Sequence, residues 1–297
     1  MLNFHVKGHA GHLALEMEKA LRLLHMFVRF GDAQGQVGAC ETLMDVLRGS
    51  EDLCSAVLNG GALPSLVVML QADRPEAWRA AAELLAELAL GEDDQRGAVL
   101  RSGAISQLLH LLRQSSDPAF LREGARVLAR VSEEPAAAAA LLREGAPRAL
   151  MHLCRSDALQ AHALSVHALG RLALVDCNLL RSPQVLRVLC RVAGSSVLEA
   201  RLAATHELIG LLARPTNRPH LLRAHVVAVL LQCAESMNDE LKGKALRSIA
   251  LLLQAEFVPT AAEKLALATA DMQAAAAAAA TCAVQTRDEL AVQQGAV

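Results

Sequence analysis

Along most of the chain, apolar residues recur every three or four positions, in blocks separated by short polar turns. That spacing puts the apolar side chains on one face of a helix, so each block predicts an amphipathic helix. The longer blocks close on residues 39–47, 81–89, 125–131, 168–174, 204–212 and 245–253. Their near-constant separation points to an internal repeat rather than to a set of unrelated helices.

A second feature keeps the same period. Leu58-Asn59-Gly60-Gly61 recurs as Leu100-Arg101-Ser102-Gly103 and as Leu142-Arg143-Glu144-Gly145, with glycines 42 residues apart and Ala62, Ala104 or Ala146 following each. Looser copies follow at Leu180-Arg181-Ser182-Pro183 and Leu222-Arg223-Ala224-His225, spaced by 38 and then 42 residues. Each unit reads as a short helix, a glycine corner, a second helix, a polar turn and a longer third helix. In one unit these are 95–101, Gly103, 105–113, 114–118 and 119–131. Glycine suits the corner because it reaches positive φ without a Cβ clash. Asp73, Asp117 and Asp157 are candidate N-caps of third helices. Pro64, Pro147 and Pro183 fall in the first turn of second helices, where a missing N–H costs little.

Composition sharpens this picture. Hydrophobic residues make up 53% of the 297 residues but aromatics only 2%, with no Tyr and one Trp. Leu, Ala and Val favour thin, closely packed helices over sheets, and the shortage of rings argues against base-stacking nucleic-acid platforms. A formal charge of −2 provides no general attraction to nucleic acid or anionic membrane, so any charged partner must be read by a local patch. The seven cysteines are scattered without a CxxC pair, as expected of buried free thiols in a reducing compartment. Neither a secretory leader nor a membrane span is expected, and the Ala-rich run 274–280 is too short to cross a bilayer.

The chain offers little recognisable chemistry. His5, His9 and His12 form the one tight histidine cluster, but Gly8 and Gly11 are expected to interrupt a helix there. His162 and His167 stand five apart and face different directions on a helix. No phosphate loop, metalloprotease signature or nucleophile elbow occurs. No catalytic, cofactor or metal residue is assigned, and no small-molecule substrate is expected. Trp78 has two readings: an anchor for a partner, or packing within the core or between repeats.

The stretch Gly61-Ala62-Leu63-Pro64-Ser65-Leu66-Val67-Val68-Met69-Leu70, followed by a polar turn and an Ala-Ala-x-x-Leu-x-x-Leu-Ala helix, resembles the armadillo repeat. The resemblance implies a right-handed α-solenoid of about six units across residues 19–256, with a cap segment over 1–18 and a divergent helical tail over 257–297. It also implies that the third helices line a groove. Family members that bind extended peptides carry an Asn on each third helix, with a Trp one turn earlier. Here the Asn positions hold Asp45, Glu87, Arg130, Arg171, Gly210 and Ala250, and one turn earlier stand Glu41, Glu83, Arg126, His167, His206 and Leu246. The ladder is absent, which speaks against a nuclear-import adaptor. In its place runs a charge gradient, acidic at Glu41, Asp45, Glu83 and Glu87 and basic at Arg126, Arg130 and Arg171. The gradient either orients a dipolar partner segment or consists of solvated charges paired between repeats, such as Glu87 with Arg130. The expectation is a cytoplasmic, cytoskeletal or ciliary interaction scaffold or structural subunit whose partners are proteins. An Hsp70 nucleotide-exchange regulator and a helical-solenoid enzyme are the alternatives.

Overall fold

The computed structural model describes residues 2–49, 53–223 and 226–254. The expected tail 257–297, with its Ala-rich run and Cys282, lies outside the described residues, as do the side chains of His5 and His9. The described chain is all-helical, with sixteen α-helices, two 3₁₀ turns and no strand. It divides into two compact units, Met1–Val175 and Asp176–Val297.

The first unit opens with α1 (Leu2–Phe30) and α2 (Ala33–Gly49). Three helical triplets follow: α3 (Cys54–Asn59), α4 (Ala62–Gln71) and α5 (Pro75–Leu88); α6 (Asp93–Arg101), α7 (Ala104–Leu112) and α8 (Pro118–Val131); α9 (Pro135–Arg143), α10 (Ala146–Leu153) and α11 (Leu159–Val175). Equivalent helices of successive triplets pack side by side. The long helices α2, α5, α8 and α11 form one row, α1, α4, α7 and α10 a second, and α3, α6 and α9 a third. This is the physical meaning of the repeat: no triplet can bury its own apolar face, so neighbours bury it for one another.

The corner glycines hold the second row in place. Gly61, Gly103 and Gly145 cap α4, α7 and α10 at φ +83°, +78° and +79°, the left-handed region that an L side chain enters only under strain. Third helices lie close against their own second helices. An atom at the Cβ position of Gly124 on α8 would lie 2.4 Å from Leu112 Cδ2 of α7. The wholly buried Leu84, Leu85, Leu108, Leu128 and Leu169 are part of the shared core, each contributing about 1.5–3 kcal/mol.

The second unit keeps the plan with one abbreviation. Its first element is a five-residue 3₁₀ turn, Cys177–Arg181, where the preceding triplet has the nine-residue α9. This shorter element contributes to the shortened spacing in the sequence. The corner here has no glycine. Ser182 is extended (φ −77°, ψ 115°) and Pro183 opens α12 (Pro183–Ala193), as the steric demand of a proline on its predecessor requires. After α13 (Leu198–Leu212) come the 3₁₀ turn Pro215–Asn217, α14 (Arg218–Arg223), α15 (Val226–Ala234) and α16 (Asp239–Gln254). The helices α12 and α15 pack together, and so do α13 and α16, around Cys233, Leu241 and Ala245.

Three local expectations are corrected. Gly8 and Gly11 do not interrupt a helix: α1 runs unbroken from Leu2, which each glycine opposes by only about 1 kcal/mol. Of the three proposed aspartate caps only Asp117 serves, its carboxylate accepting from Ala119 N at 3.1 Å. Arg74 occupies the cap of α5 without a side-chain hydrogen bond, so Asp73 falls one residue too early, and Asp157 precedes the Leu159 start of α11 by two.

Candidate functional site

The third helices α5 and α8 are each covered by a third helix on both flanks and by their own second helix behind. A narrow stripe remains open on each, with positions three or four residues apart. On α5 it holds Arg79, Glu83 and Glu87; on α8, Arg122, Arg126 and Arg130; on α11, Leu164, His167 and Arg171. On α2 it holds Glu41 and Asp45, both exposed. The charge gradient expected from the sequence therefore lies on one face, shared by four packed helices.

The structure brings its central members together. Arg126 Nη1 donates to Glu87 Oε1 at 3.0 Å, and Arg130 Nη1 lies 3.9 Å from Glu87 Oε2. Arg126 Nη2 pairs with Glu123 Oε2 at 2.7 Å and reaches the carbonyl oxygen of Glu83 at 3.5 Å. Arg130 also donates to the carbonyl oxygen of Ala86. One helix further on, Glu133 receives His167 Nε2 at 2.6 Å and stands 3.6 Å from Arg171, whose guanidinium donates to the Glu133 carbonyl at 2.8 Å. Arg79 bridges the other way, forward to Asp117 at 2.9 Å. Pairing between adjacent repeats, Glu87 with Arg130 included, thus engages the whole basic segment.

A further regularity appears in these contacts. Arg130 reaches back to the Ala86 carbonyl in the last turn of α5, and Arg171 to the Glu133 carbonyl in the turn that follows α8. Last-turn carbonyls lack a partner inside their own helix and carry the negative end of its dipole, so the Arg130 guanidinium both caps and neutralises the end of α5.

Burial tunes the charges. Desolvation, followed by the neighbouring Glu123 carboxylate, raises the pKa of Glu83. Burial, then the charge of Arg126, lowers that of Arg130. Desolvation opposes ionisation of Asp117, but hydrogen bonds from Arg79 and the α8 backbone outweigh it and leave the pKa lowered.

The remaining candidates stand apart. Glu41 makes no ion pair among the described residues, and Asp45 meets only Arg48 on its own helix, at 3.4 Å. His206 belongs to the second unit, where its Nδ1 is 3.5 Å from Glu207. The sequence did not single out Glu123 or Glu133, although both are hubs. Glu123 stands three residues before Arg126 on the same helix, a spacing that could have shown it. Glu133 follows the helix end, where periodicity carries no signal. Trp78 packs between repeats: its ring lies 6.1 Å from Phe120 on α8, tilted by 49°, and its Nε1 donates to the Ala72 carbonyl. His162 is buried against the Ser156 carbonyl at 2.9 Å, while His167 faces the stripe. Among the described residues no three His, Cys, Asp or Glu side chains come together as a metal site, and no helix is long and apolar enough to cross a membrane.

No protein-family model matches the chain, and no curated protein is significantly similar to it in sequence. Solved structures do match. An engineered protein superposes with a TM-score of 0.71 at 23% identity, over 80% of this chain and 98% of its own. A designed armadillo repeat protein in complex with the peptide (KR)4 gives 0.71 at 18% identity, over 80% and 99%. The fold is the armadillo-repeat fold. A computationally designed armadillo repeat protein for modular peptide recognition matches equally well, with a TM-score of 0.71 at 19% identity over 79% of this chain and 99% of that one. In armadillo terms, the stripe on α2, α5, α8 and α11 is the third-helix face.

Proposed function

We propose that this armadillo array is an interaction scaffold that holds a protein segment along its third-helix face, with the acidic edge on α2 as the point of charge recognition. The observation that carries this reading is the unequal use of charge on the face. Arg126, Arg130 and Arg171 are engaged in holding neighbouring repeats together, whereas Glu41 and Asp45 are exposed and serve no inter-repeat contact among the described residues. The dipolar gradient thereby reduces to an acidic N-terminal edge beside a neutralised centre, which suits a segment rich in Lys or Arg. The designed armadillo protein that carries a (KR)4 peptide shows that a scaffold of this fold can hold such a ligand. No catalytic step is assigned to the site.

The test is titration of a fluorescent (KR)4 peptide, together with affinity capture of partner proteins by the full chain. Wild type binds the peptide, and the double variant Glu41→Lys/Asp45→Lys loses at least about tenfold in affinity while keeping its helical content, because the substitutions replace two attractive charges by repulsive ones. Equal binding by the two proteins sinks the reading.

A further inference from the structure

On the outer side of α1 four large apolar side chains stand among the exposed His12, Glu18, Lys19, Arg22, His25 and Arg29. Leu15, Leu23, Met26 and Phe30 are 51%, 44%, 40% and 75% exposed, and they account for four of the ten large apolar side chains that the described chain leaves in solvent. The other six, Val68, Leu90, Leu159, Val175, Leu198 and Met237, are dispersed, with no more than two on any element and those at opposite ends of α11. At 100° per residue the four on α1 fall within an arc of about 80° and extend about 22 Å along the helix. The opposite side, with Ala20, Leu21 and Leu24, is buried in the unit. So α1 carries large apolar side chains on both sides, and the array buries one set of them.

We propose that this outer face of α1 is a homodimer interface, in which two copies pack their α1 helices antiparallel about a two-fold axis passing between residues 22 and 23. That operation sets position 15 opposite position 30, 23 opposite 22 and 26 opposite 19, each contact occurring twice, as an isologous interface demands. Leu15 of one copy lies against Phe30 of the other, the two Leu23 side chains meet beside the axis, and the aliphatic stem of Lys19 covers Met26. The charges bordering the stripe agree. Glu18 pairs with Arg22 four residues on in its own helix, whereas Arg29 has no ion-pair partner among the described residues. In the antiparallel pair Arg29 comes alongside Glu18 of the other copy on the same flank, so each Glu18 is set between two guanidiniums. A parallel arrangement leaves Arg29 beside Arg29 and gains no such contact.

Sedimentation equilibrium of the full chain tests this. Wild type is expected to dimerise. Leu23→Asp sets two carboxylates at the axis and weakens association by at least about 100-fold, with the far-ultraviolet circular dichroism unchanged. Two charge variants then separate a second copy from any other occupant of the face. Glu18→Arg and Arg29→Glu each weaken their own homodimer by like-charge contact. Mixed together, they form a heterodimer in which both cross-copy contacts join opposite charges, one in the original sense and one reversed. A monomeric wild type, a Leu23→Asp variant that stays dimeric, or variants that fail to pair with each other overturns the proposal. Coverage of the face by residues 255–297 or by a different protein produces the last of these results.

Discussion

Replacing Arg126 by Leu probes how much of the third-helix charge network serves the fold. The Arg126 side chain is 26% exposed, and its partners Glu87 and Glu123 only 10% and 5%, so the cluster falls between a surface pair and a buried one. A surface pair contributes about 0.2–1 kcal/mol, and breaking a fully buried pair by removing one partner costs about 3–5 kcal/mol. Two cations remain after the substitution, Arg122 at 2.8 Å from Glu123 and Arg130 at 3.9 Å from Glu87, and they limit the loss. The expected destabilisation is therefore about 2 kcal/mol, partly offset by the apolar surface that Leu adds. Arg126→Lys keeps the charge but not the planar fork that reaches Glu87, Glu123 and the Glu83 carbonyl together, and is expected to lose about half as much. Urea unfolding at pH 7 reads the difference, and most of it should survive ~0.5 M salt because the partners are shielded from solvent. A double-mutant cycle with Glu87→Gln should return a coupling of about 1 kcal/mol. If Arg126→Leu unfolds within about 0.5 kcal/mol of wild type, the ion pairs merely offset their own desolvation, and the structural role given to them here is wrong.

Glu83→Gln should stabilise the protein by a few tenths of a kcal/mol at pH 7 and lose that advantage in acid. A carboxyl whose folded pKa is raised, here by desolvation first and then by Glu123, favours the fold below its unfolded pKa and loses that contribution as pH rises through the folded value. Thermal melts of the two proteins from pH 4 to 7 compare them, and parallel curves refute the argument. Asp117→Ala removes both the α8 cap and the Arg79 bridge and should cost about 1–2 kcal/mol in urea unfolding, whereas Asp117→Asn keeps the cap and costs less. Because the Asp117 pKa is lowered, its contribution is present at neutral pH and fades as pH falls through the folded value. Gly103→Ala meets no atom within 4 Å, so its cost is the φ of +78° alone, about 1–2 kcal/mol by chemical denaturation, and Gly103→Asn should cost less. Burial pushes the Cys40 thiol up to about 12 and the Cys190 thiol to about 11. Among the six described cysteines the exposed Cys177 should therefore react first with iodoacetamide, as peptide mapping of the labelled native protein would show.

The repeat was legible in the sequence because its causes are local. Apolar spacing specifies helices, and Gly61, Gly103 and Gly145 mark corners that turn at positive φ. The shortened spacing before Pro183 announced an abbreviated element, although its form, a 3₁₀ turn in place of a nine-residue helix, came from the structure. The caps were less legible. Asp73, Asp117 and Asp157 look alike in sequence, and a one- or two-residue shift in where the helix starts decides which carboxylate reaches a free N–H. The charge stripe divides in the same way. Spacing of four placed Glu83, Glu87, Arg126 and Arg130 on exposed faces of their own helices. Whether a partner or a neighbouring repeat neutralises them depends on the approach of residues some forty positions apart, which only tertiary packing sets. The outer face of α1 is the converse case. Its apolar pattern reads as an ordinary buried helix until packing shows that the array covers one side of it and leaves Leu15, Leu23, Met26 and Phe30 in solvent.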